Sequence, residues 1–124
     1  MAAASRAQRH QFLCGRDNYA VLLHDPATGS TALVDAPEEE AVEEALRQTG
    51  WRLSHILVTH GHADHVEGVP GLKRRHGCRV VAPARAAALA SLADEAVAEG
   101  DVVAVGALRG AVLETPGHCP DHVC

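Results

Sequence analysis

Short apolar runs separated by turn-forming residues occupy the opening part of the chain, a pattern typical of strands. Residues 11–14 (QFLC) and 19–25 (YAVLLHD) predict two strands, joined by a turn at 15–18 (GRDN). The segment 25–30 (DPATGS) contains the Pro and Gly of a hairpin connection, and TALVD then predicts a third strand that ends at Asp35. The chain is therefore expected to open as a β-meander.

Apolar residues that recur at three- and four-residue intervals predict helices further along. The first is expected to begin at Pro37, a residue favoured at the first helical position, and to end at Gly50. Its acidic first turn has a structural explanation, because carboxylates stabilise the positive end of the helix dipole. GVPGLKRRHG predicts a second helix, entered near Pro70 and ended by Gly77, and ARAAALASL (84–92) predicts a third, Ala-rich helix.

Strands are predicted between and after these helices. The continuous apolar run at 55–58 (HILV) is typical of a strand that is buried on both faces. CRVVAP (78–83) predicts the next strand, and residues 100–115 predict a hairpin. The order of elements indicates a mixed α/β fold in which helices cover a sheet. DHVC (121–124) resembles the beginning of a further strand, so we expect a chain that is truncated there.

Length and composition restrict the class of protein. The 124 residues fit one domain, 1–124, whose first ten residues are expected to be a flexible tail. One Phe, one Trp and one Tyr offer few large core anchors, which predicts marginal stability. A net charge of −5, with only Lys73–Arg75 as a basic cluster, argues against a nucleic-acid partner.

The same survey bears on location. There is no apolar run of the ~20 residues that a membrane-spanning helix requires, and no secretory signal pattern at the start of the chain. The four cysteines form no CxxC pair. We therefore expect a cytoplasmic protein without a membrane partner, and the sequence does not indicate its oligomeric state.

The stretch THGHADHVEG carries the candidate chemistry. His60, His62, Asp64 and His65 directly follow a predicted buried strand, where α/β proteins usually build their sites. Imidazole and carboxylate ligands suit Zn²⁺, or iron and manganese less selectively. The spacing does not place all four on one ion: His60 and His62 suit a first ion, whereas Asp64 and His65 suit a second. His118, in the later TPGH turn, is the best candidate for a third ligand of the first ion.

THGHADH followed by TPGH resembles the metallo-β-lactamase superfamily. The opening DNYAVLLHDPATGSTALVDAPE is similar to one of its branches, hydroxyacylglutathione hydrolase (glyoxalase II). This resemblance implies an αββα sandwich, here truncated to the N-terminal sheet with its helices. In the family, a metal-bridging Asp and a further His lie downstream of the TPGH turn, beyond Cys124. The resemblance therefore concerns the N-terminal half of such a protein.

The resemblance also implies roles for individual residues. His60, His62 and His118 match ligands of a first zinc, and Asp64 and His65 match ligands of a second. Asp64 is also the candidate catalytic residue, because it would orient the nucleophile. Asp35 matches an acidic residue that supports the metal loop from behind the ligands, although an ordinary turn residue before a helix is an alternative.

The implied reaction is the hydrolysis of a glutathione thioester, S-D-lactoylglutathione, to D-lactate and glutathione, a step of methylglyoxal detoxification. Two zinc ions would serve a complete site, with iron or manganese as alternatives. Three other interpretations remain open. These are a catalytically inactive, truncated metal-binding fragment, a persulfide dioxygenase-like enzyme with one iron, and an RNase Z-like nuclease. The DNY opening argues against the second. The Gly-rich N-terminal loop usual in the third is missing here, and the acidic charge gives the third no support. Neither a Cys119–His118 nucleophile nor a zinc knuckle has suitable spacing.

Overall fold

The computed structural model describes residues 7–14, 18–60, 66–86, 89–115 and 123–124. Eight strands and two helices lie wholly within these ranges. In chain order they are β1 (Gln8–Cys14), β2 (Asn18–His24), β3 (Thr31–Val34), α1 (Glu39–Thr49), β4 (His55–Leu57), α2 (Val69–His76), β5 (Arg79–Pro83), β6 (Glu95–Val97), β7 (Val102–Val105) and β8 (Leu108–Ala111). Neither of these helices is long and apolar enough to cross a membrane.

The first six strands form one sheet in the order β1-β2-β3-β4-β5-β6. β1, β2 and β3 are antiparallel, which confirms the predicted meander, and β3 to β6 are parallel. β1 begins at Gln8, which pairs with His24. Residues 8–10 were predicted to belong to a flexible tail, and this was wrong because they complete the backbone pairing of β2. The first part of the predicted tail, residues 1–6, lies outside the described residues.

Both helices pack on the same face of this sheet. Alternate strand residues point to this face and join the helices in the main core, which includes Leu22, Leu33, Ile56, Val80, Val42, Leu46, Val69 and Leu72. The helices end at Gly50 and Gly77, as predicted, where the backbone turns left-handed with φ of 74° and 62°. α1 begins at Glu39 rather than Pro37, because Glu38 still has extended backbone.

The opposite face of the sheet carries a smaller apolar cluster. Val81 and Val97 from the sheet pack with Val112 and Val123, and with the partly buried Leu57 and Val103. β7 and β8 form the predicted hairpin as a separate two-stranded antiparallel sheet. The layers are therefore helices, a mixed sheet and the beginning of a second sheet, which confirms the mixed α/β architecture.

The predicted Ala-rich helix at 84–92 is wrong for the residues that the structure describes there. Residues 84–86 and 89–92 form successive turns, such as those closed by Ala86 N–H to Pro83 O (3.0 Å) and Leu92 N–H to Leu89 O (2.9 Å). The sequence pattern missed β6, which pairs in parallel with β5. Parallel neighbours normally need a crossover of a dozen or more residues. The link 84–94 is shorter than this, and its described residues are closed mainly by bonds of the tight 3₁₀ type.

Candidate metal centre

The start of the predicted metal loop lies at the carboxyl end of β4, between two parallel neighbours. The backbone N–H of Val58 donates to Val81 O on one side (2.8 Å), and Asp35 N–H donates to Leu57 O on the other (2.9 Å). Thr59 and His60 follow directly. The side chain of His60 is buried, with 2% of the residue exposed. The strand therefore delivers a buried imidazole to the edge where α/β proteins build sites.

Asp35 supports this loop from the end of β3. Its Oδ1 accepts the backbone N–H of Thr59 (2.8 Å) and its Oδ2 accepts the Thr59 hydroxyl (2.8 Å). Asp35 is 7% exposed and has a left-handed backbone with φ of 59°. Asp tolerates this conformation better than most residues, but it still costs on the order of 1–3 kcal/mol. The two side-chain hydrogen bonds help to offset that cost.

The far end of the metal loop (61–65) is attached to Ala36, the residue that follows Asp35. Gly68 donates its N–H to Ala36 O (2.7 Å). A Cβ at Gly68 would lie 3.0 Å from both Ala36 O and Glu39 N, so a side chain there would push these backbone atoms apart by a few tenths of an ångström, which glycine avoids. The β3–α1 connection therefore holds both flanks of residues 61–65.

The segment that carries His118 is also attached to the metal loop at one flank. The backbone N–H of Val123 donates to Thr59 O (2.9 Å), one residue before His60. Val123 also forms an antiparallel bridge with Glu114, and Leu113 and Cys124 exchange two backbone hydrogen bonds. The chain on both sides of 116–122 is thus drawn together next to the end of β4.

Four of the predicted ligands, His62, Asp64, His65 and His118, lie outside the described residues. The described ranges alone contain no group of three or more His, Cys, Asp or Glu side chains that could hold a metal ion. Of the predicted set, His60 and Asp35 are placed, and Thr59 links them. Of these, His60 is the predicted ligand, and its buried imidazole is of a type that zinc prefers.

The structure adds three residues to which the sequence reasoning assigned no role. Thr59 contacts both Asp35 and His60, with 2.9 Å between Thr59 Oγ1 and His60 Nδ1. Gly68 and Val123 connect the loop to other elements. Thr59 stands immediately before the first motif histidine, so its position was a usable signal. The partners of Gly68 and Val123 are distant in sequence, and no local pattern indicates them.

The buried cysteines of the described region show no sign of nucleophilic activation. Burial raises the pKa of the Cys14 and Cys78 thiols, which keeps both protonated near neutral pH. Cys124 is exposed and close to Thr115 Oγ1, at 3.5 Å. His118 and Cys119 lie outside the described residues, so the structure does not bear on that pair.

An apolar, half-open cavity of about 360 Å³ lies beside the loop, on the face of the sheet opposite the helices. Its lining includes Leu57, Thr59 and Val81 from the sheet side and Val103 and Val112 from the hairpin side. The cavity on the open face therefore borders the end of β4, directly before the predicted metal loop.

Comparison with known proteins places this geometry in a family. A model of the metallo-beta-lactamase superfamily matches residues 15–124. The chain is 60% identical over 112 residues to a protein from Methylobacterium nodulans named hydroxyacylglutathione hydrolase, and 56% identical over 112 residues to one of the same name from Nitrobacter winogradskyi. Each match covers 90% of this chain and 44% of the relative.

A solved structure shows the same fold. The crystal structure of ETHE1 from Myxococcus xanthus superposes with a TM-score of 0.82 at 34% identity, covering 94% of this chain and 52% of that one. The chain thus spans less than half the length of the hydrolases it matches and about half of this structural neighbour. The family match covers most of the chain, and the layered fold agrees with it. The chain belongs to the metallo-β-lactamase superfamily.

Proposed function

We propose that this chain provides the metal-binding part of a zinc-dependent thioester hydrolase of the hydroxyacylglutathione hydrolase type. The proposal is carried by the 60% identity to the Methylobacterium nodulans protein of that name. It is supported by the contacts of Thr59, which hydrogen-bonds to both Asp35 and Val123. Thr59 directly precedes the segment 60–65, and Val123 directly follows the segment 116–122, and these two segments contain the predicted ligands.

The proposed ligand set is distributed over these two segments. His60, His62 and His118 would hold one zinc, and Asp64 and His65 would contribute to a second. Asp35 would act through Thr59, by fixing the backbone from which His60 projects. Three protein ligands leave a fourth position for water or substrate, as catalytic zinc sites require.

Zinc bound there would supply a water with its pKa lowered to about 7 and would polarise the thioester carbonyl. In the proposed reaction, Asp64 accepts a hydrogen bond from the attacking water and keeps its oxygen directed at the carbonyl carbon. A bond forms between that oxygen and the carbon, the C–S bond breaks, and the thiol leaves with a proton. The products are a carboxylic acid and a free thiol.

The proposed substrate is S-D-lactoylglutathione, with D-lactate and glutathione as products, in cytoplasmic methylglyoxal detoxification. The names of the relatives support the glutathione thioester, since both proteins are called hydroxyacylglutathione hydrolase. The zinc identity, the cytoplasmic location and the small-molecule partner belong to this proposal.

The test combines metal content with thiol release. The purified protein is loaded with Zn²⁺, its bound zinc is measured by mass spectrometry, and glutathione release from S-D-lactoylglutathione is followed with a thiol reagent. His60→Ala should lower zinc affinity and turnover by at least about 100-fold, more than the 10–100-fold typical for losing a ligand's supporting partner. His55→Ala is the matched control, because His55 lies at the other end of β4 and hydrogen-bonds Ser54 Oγ (2.8 Å).

The outcomes separate the alternatives. Turnover that His60→Ala leaves unchanged would contradict the proposal. Zinc binding without thiol release would favour a metal-binding unit that is inactive by itself. One iron per chain with oxygen consumption on glutathione persulfide would favour the persulfide dioxygenase-like alternative.

A further inference from the structure

A chain of hydrogen bonds connects the acidic side chain behind the loop to the imidazole of His60. Asp35 Oδ2 lies 2.8 Å from Thr59 Oγ1, and Thr59 Oγ1 lies 2.9 Å from His60 Nδ1. Asp35 Oδ1 is already used, since it accepts the Thr59 backbone N–H at 2.8 Å. The three residues therefore form a relay with one hydroxyl at its centre.

The direction of this relay follows from the number of protons available. An ionised carboxylate only accepts hydrogen bonds, so the Thr59 hydroxyl must donate its single proton to Asp35. Thr59 Oγ1 then has only lone pairs to offer His60. The Nδ1 atom of His60 must accordingly carry a proton and donate it. In a neutral imidazole this leaves the lone pair on Nε2.

We propose that Thr59 is a positioning residue that fixes His60 in its Nδ1–H tautomer, with Asp35 setting the direction of the hydrogen bonds. The geometry is rigid because Asp35 is buried and its carboxylate is held at both oxygens. Thr59 is held in turn by Val123, which binds its backbone carbonyl (2.9 Å). Rotation of the hydroxyl away from Asp35 would leave a buried carboxylate oxygen without this partner.

This inference rests on the proposed function in one respect, namely that His60 is a metal ligand. A ligand imidazole must present a lone pair to the ion, and the hydrogen bond at its other nitrogen selects which nitrogen does so. Thr59 would therefore raise metal affinity without touching the ion. Losing such a supporting contact typically lowers affinity by about 10–100-fold.

The polarity argument makes Asp35→Asn the decisive variant. Asn fits the left-handed backbone at this position, and its carbonyl oxygen can still accept the Thr59 backbone N–H. Its NH₂ group then faces the Thr59 hydroxyl and donates to it. The hydroxyl must now donate to His60 Nδ1, which moves the imidazole proton to Nε2. Thr59→Val removes the hydroxyl at nearly constant shape, and Thr59→Ser keeps it as the matched control.

The tautomer is read by two-dimensional ¹⁵N NMR of the metal-free protein with labelled histidine, at about pH 8, above the ordinary His pKa of about 6.5. The His60 signals are assigned by their loss in His60→Gln. We expect Nδ1–H in the parent and in Thr59→Ser, Nε2–H in Asp35→Asn, and a mixture in Thr59→Val. Zinc affinity, measured by competition with a chromophoric chelator, should fall by about 10–100-fold in Asp35→Asn and Thr59→Val only.

An Nδ1–H tautomer that persists in both Asp35→Asn and Thr59→Val would overturn the inference. Circular dichroism tests whether each variant is folded. Asp35→Asn and Thr59→Val are both nearly isosteric substitutions, so the test does not depend on the folding of a single variant. Because the tautomer is measured without metal, it is independent of the proposed function. The expected tautomers with no zinc binding by the parent would contradict the hydrolase proposal alone.

Discussion

The two faces of the six-stranded sheet differ in how tightly their side chains are packed. On the helix side, Leu22, Leu33 and Ile56 are fully buried against α1 and α2. On the other side, the hairpin is the part of the described chain that packs on the sheet, through a cluster of valines, and Leu13 and Tyr19 are each 62% exposed. Leu13 and Tyr19 pair across β1 and β2 on this same open face.

The difference indicates where stability and chemistry reside. Burial of large apolar side chains stabilises by roughly 1.5–3 kcal/mol each, so the helix-covered face contributes most of the folding free energy. The open face adds less, and its cavity lies beside the loop that carries the predicted ligands. The end of β4, where the predicted metal loop begins, therefore lies beside both the well-packed layer and the loosely packed one.

The largest expected effect is a contrast between neighbours on β4. Ile56 is fully buried on the helix side, whereas Leu57 is half-buried and lines the cavity on the open side. Ile56→Ala should lower the free energy of unfolding by about 2–5 kcal/mol, the usual cost of such a cavity in a packed core. Leu57→Ala should cost clearly less. Urea denaturation measures both, and equal losses would contradict the comparison between the faces.

Enlarging two neighbouring valines on β5 should change the free energy of unfolding differently. Val80 points into the packed core, whereas Val81 lines the open-face cavity. Val80→Ile should destabilise by about 1–3 kcal/mol, because a packed site has no room for another methylene. Val81→Ile should be neutral or stabilise by about 0.5 kcal/mol, since it fills existing space. The shifts in thermal midpoint test this, and destabilisation by both variants would show that the cavity is not fillable.

The smallest expected effect concerns pH and the attachment of the hairpin. Asp25 Oδ2 accepts the backbone N–H of Ala107, in the β7–β8 turn, and the Thr28 hydroxyl, both at 2.7 Å. These bonds, led by that of Ala107, hold the pKa of Asp25 below its ordinary value of 3.8. The unfolded chain then binds more protons than the native one in this range. The contribution of Asp25 is therefore present above about pH 4 and is lost as pH falls through the lower, native pKa.

Asp25→Asn should consequently lower stability more at neutral pH than near pH 3. The measurement is the difference in urea midpoint between parent and variant at both pH values. Glu40→Gln is the control, because Glu40 is an exposed carboxylate on α1, away from the hairpin. A variant difference that stays constant with pH would show that the Asp25 carboxylate does not stabilise the hairpin attachment.

Periodicity in the sequence predicted most of the elements, and the misses have physical causes. The strands of the meander, both helix ends at glycines and the final hairpin follow from local patterns. Residues 84–92 have high intrinsic helix propensity, but the described residues 84–86 and 89–92 lie in turns of the short parallel link from β5 to β6, so tertiary context overrides propensity there. Residues 8–10 are polar and gave no strand signal, yet β2 offers them a partner.

The candidate site also has one part that the sequence predicted and another part that only the structure shows. Residue types and spacing alone pointed to a metal loop after β4, and that loop stays a prediction. The links of Asp35 and Val123 to Thr59, and of Gly68 to Ala36, depend on the parallel register of β3, β4 and β5 and on the return of the chain from the hairpin.

The sequence by itself determined the order of local elements and the identity of the candidate ligands, because both depend on side-chain chemistry over a few residues. Only the tertiary structure decided which distant residues meet. Asp35 and Thr59 are 24 positions apart, and Asp25 and Ala107 are 82 apart. Contacts at that separation are set by strand pairing and packing, which no short window of the sequence contains.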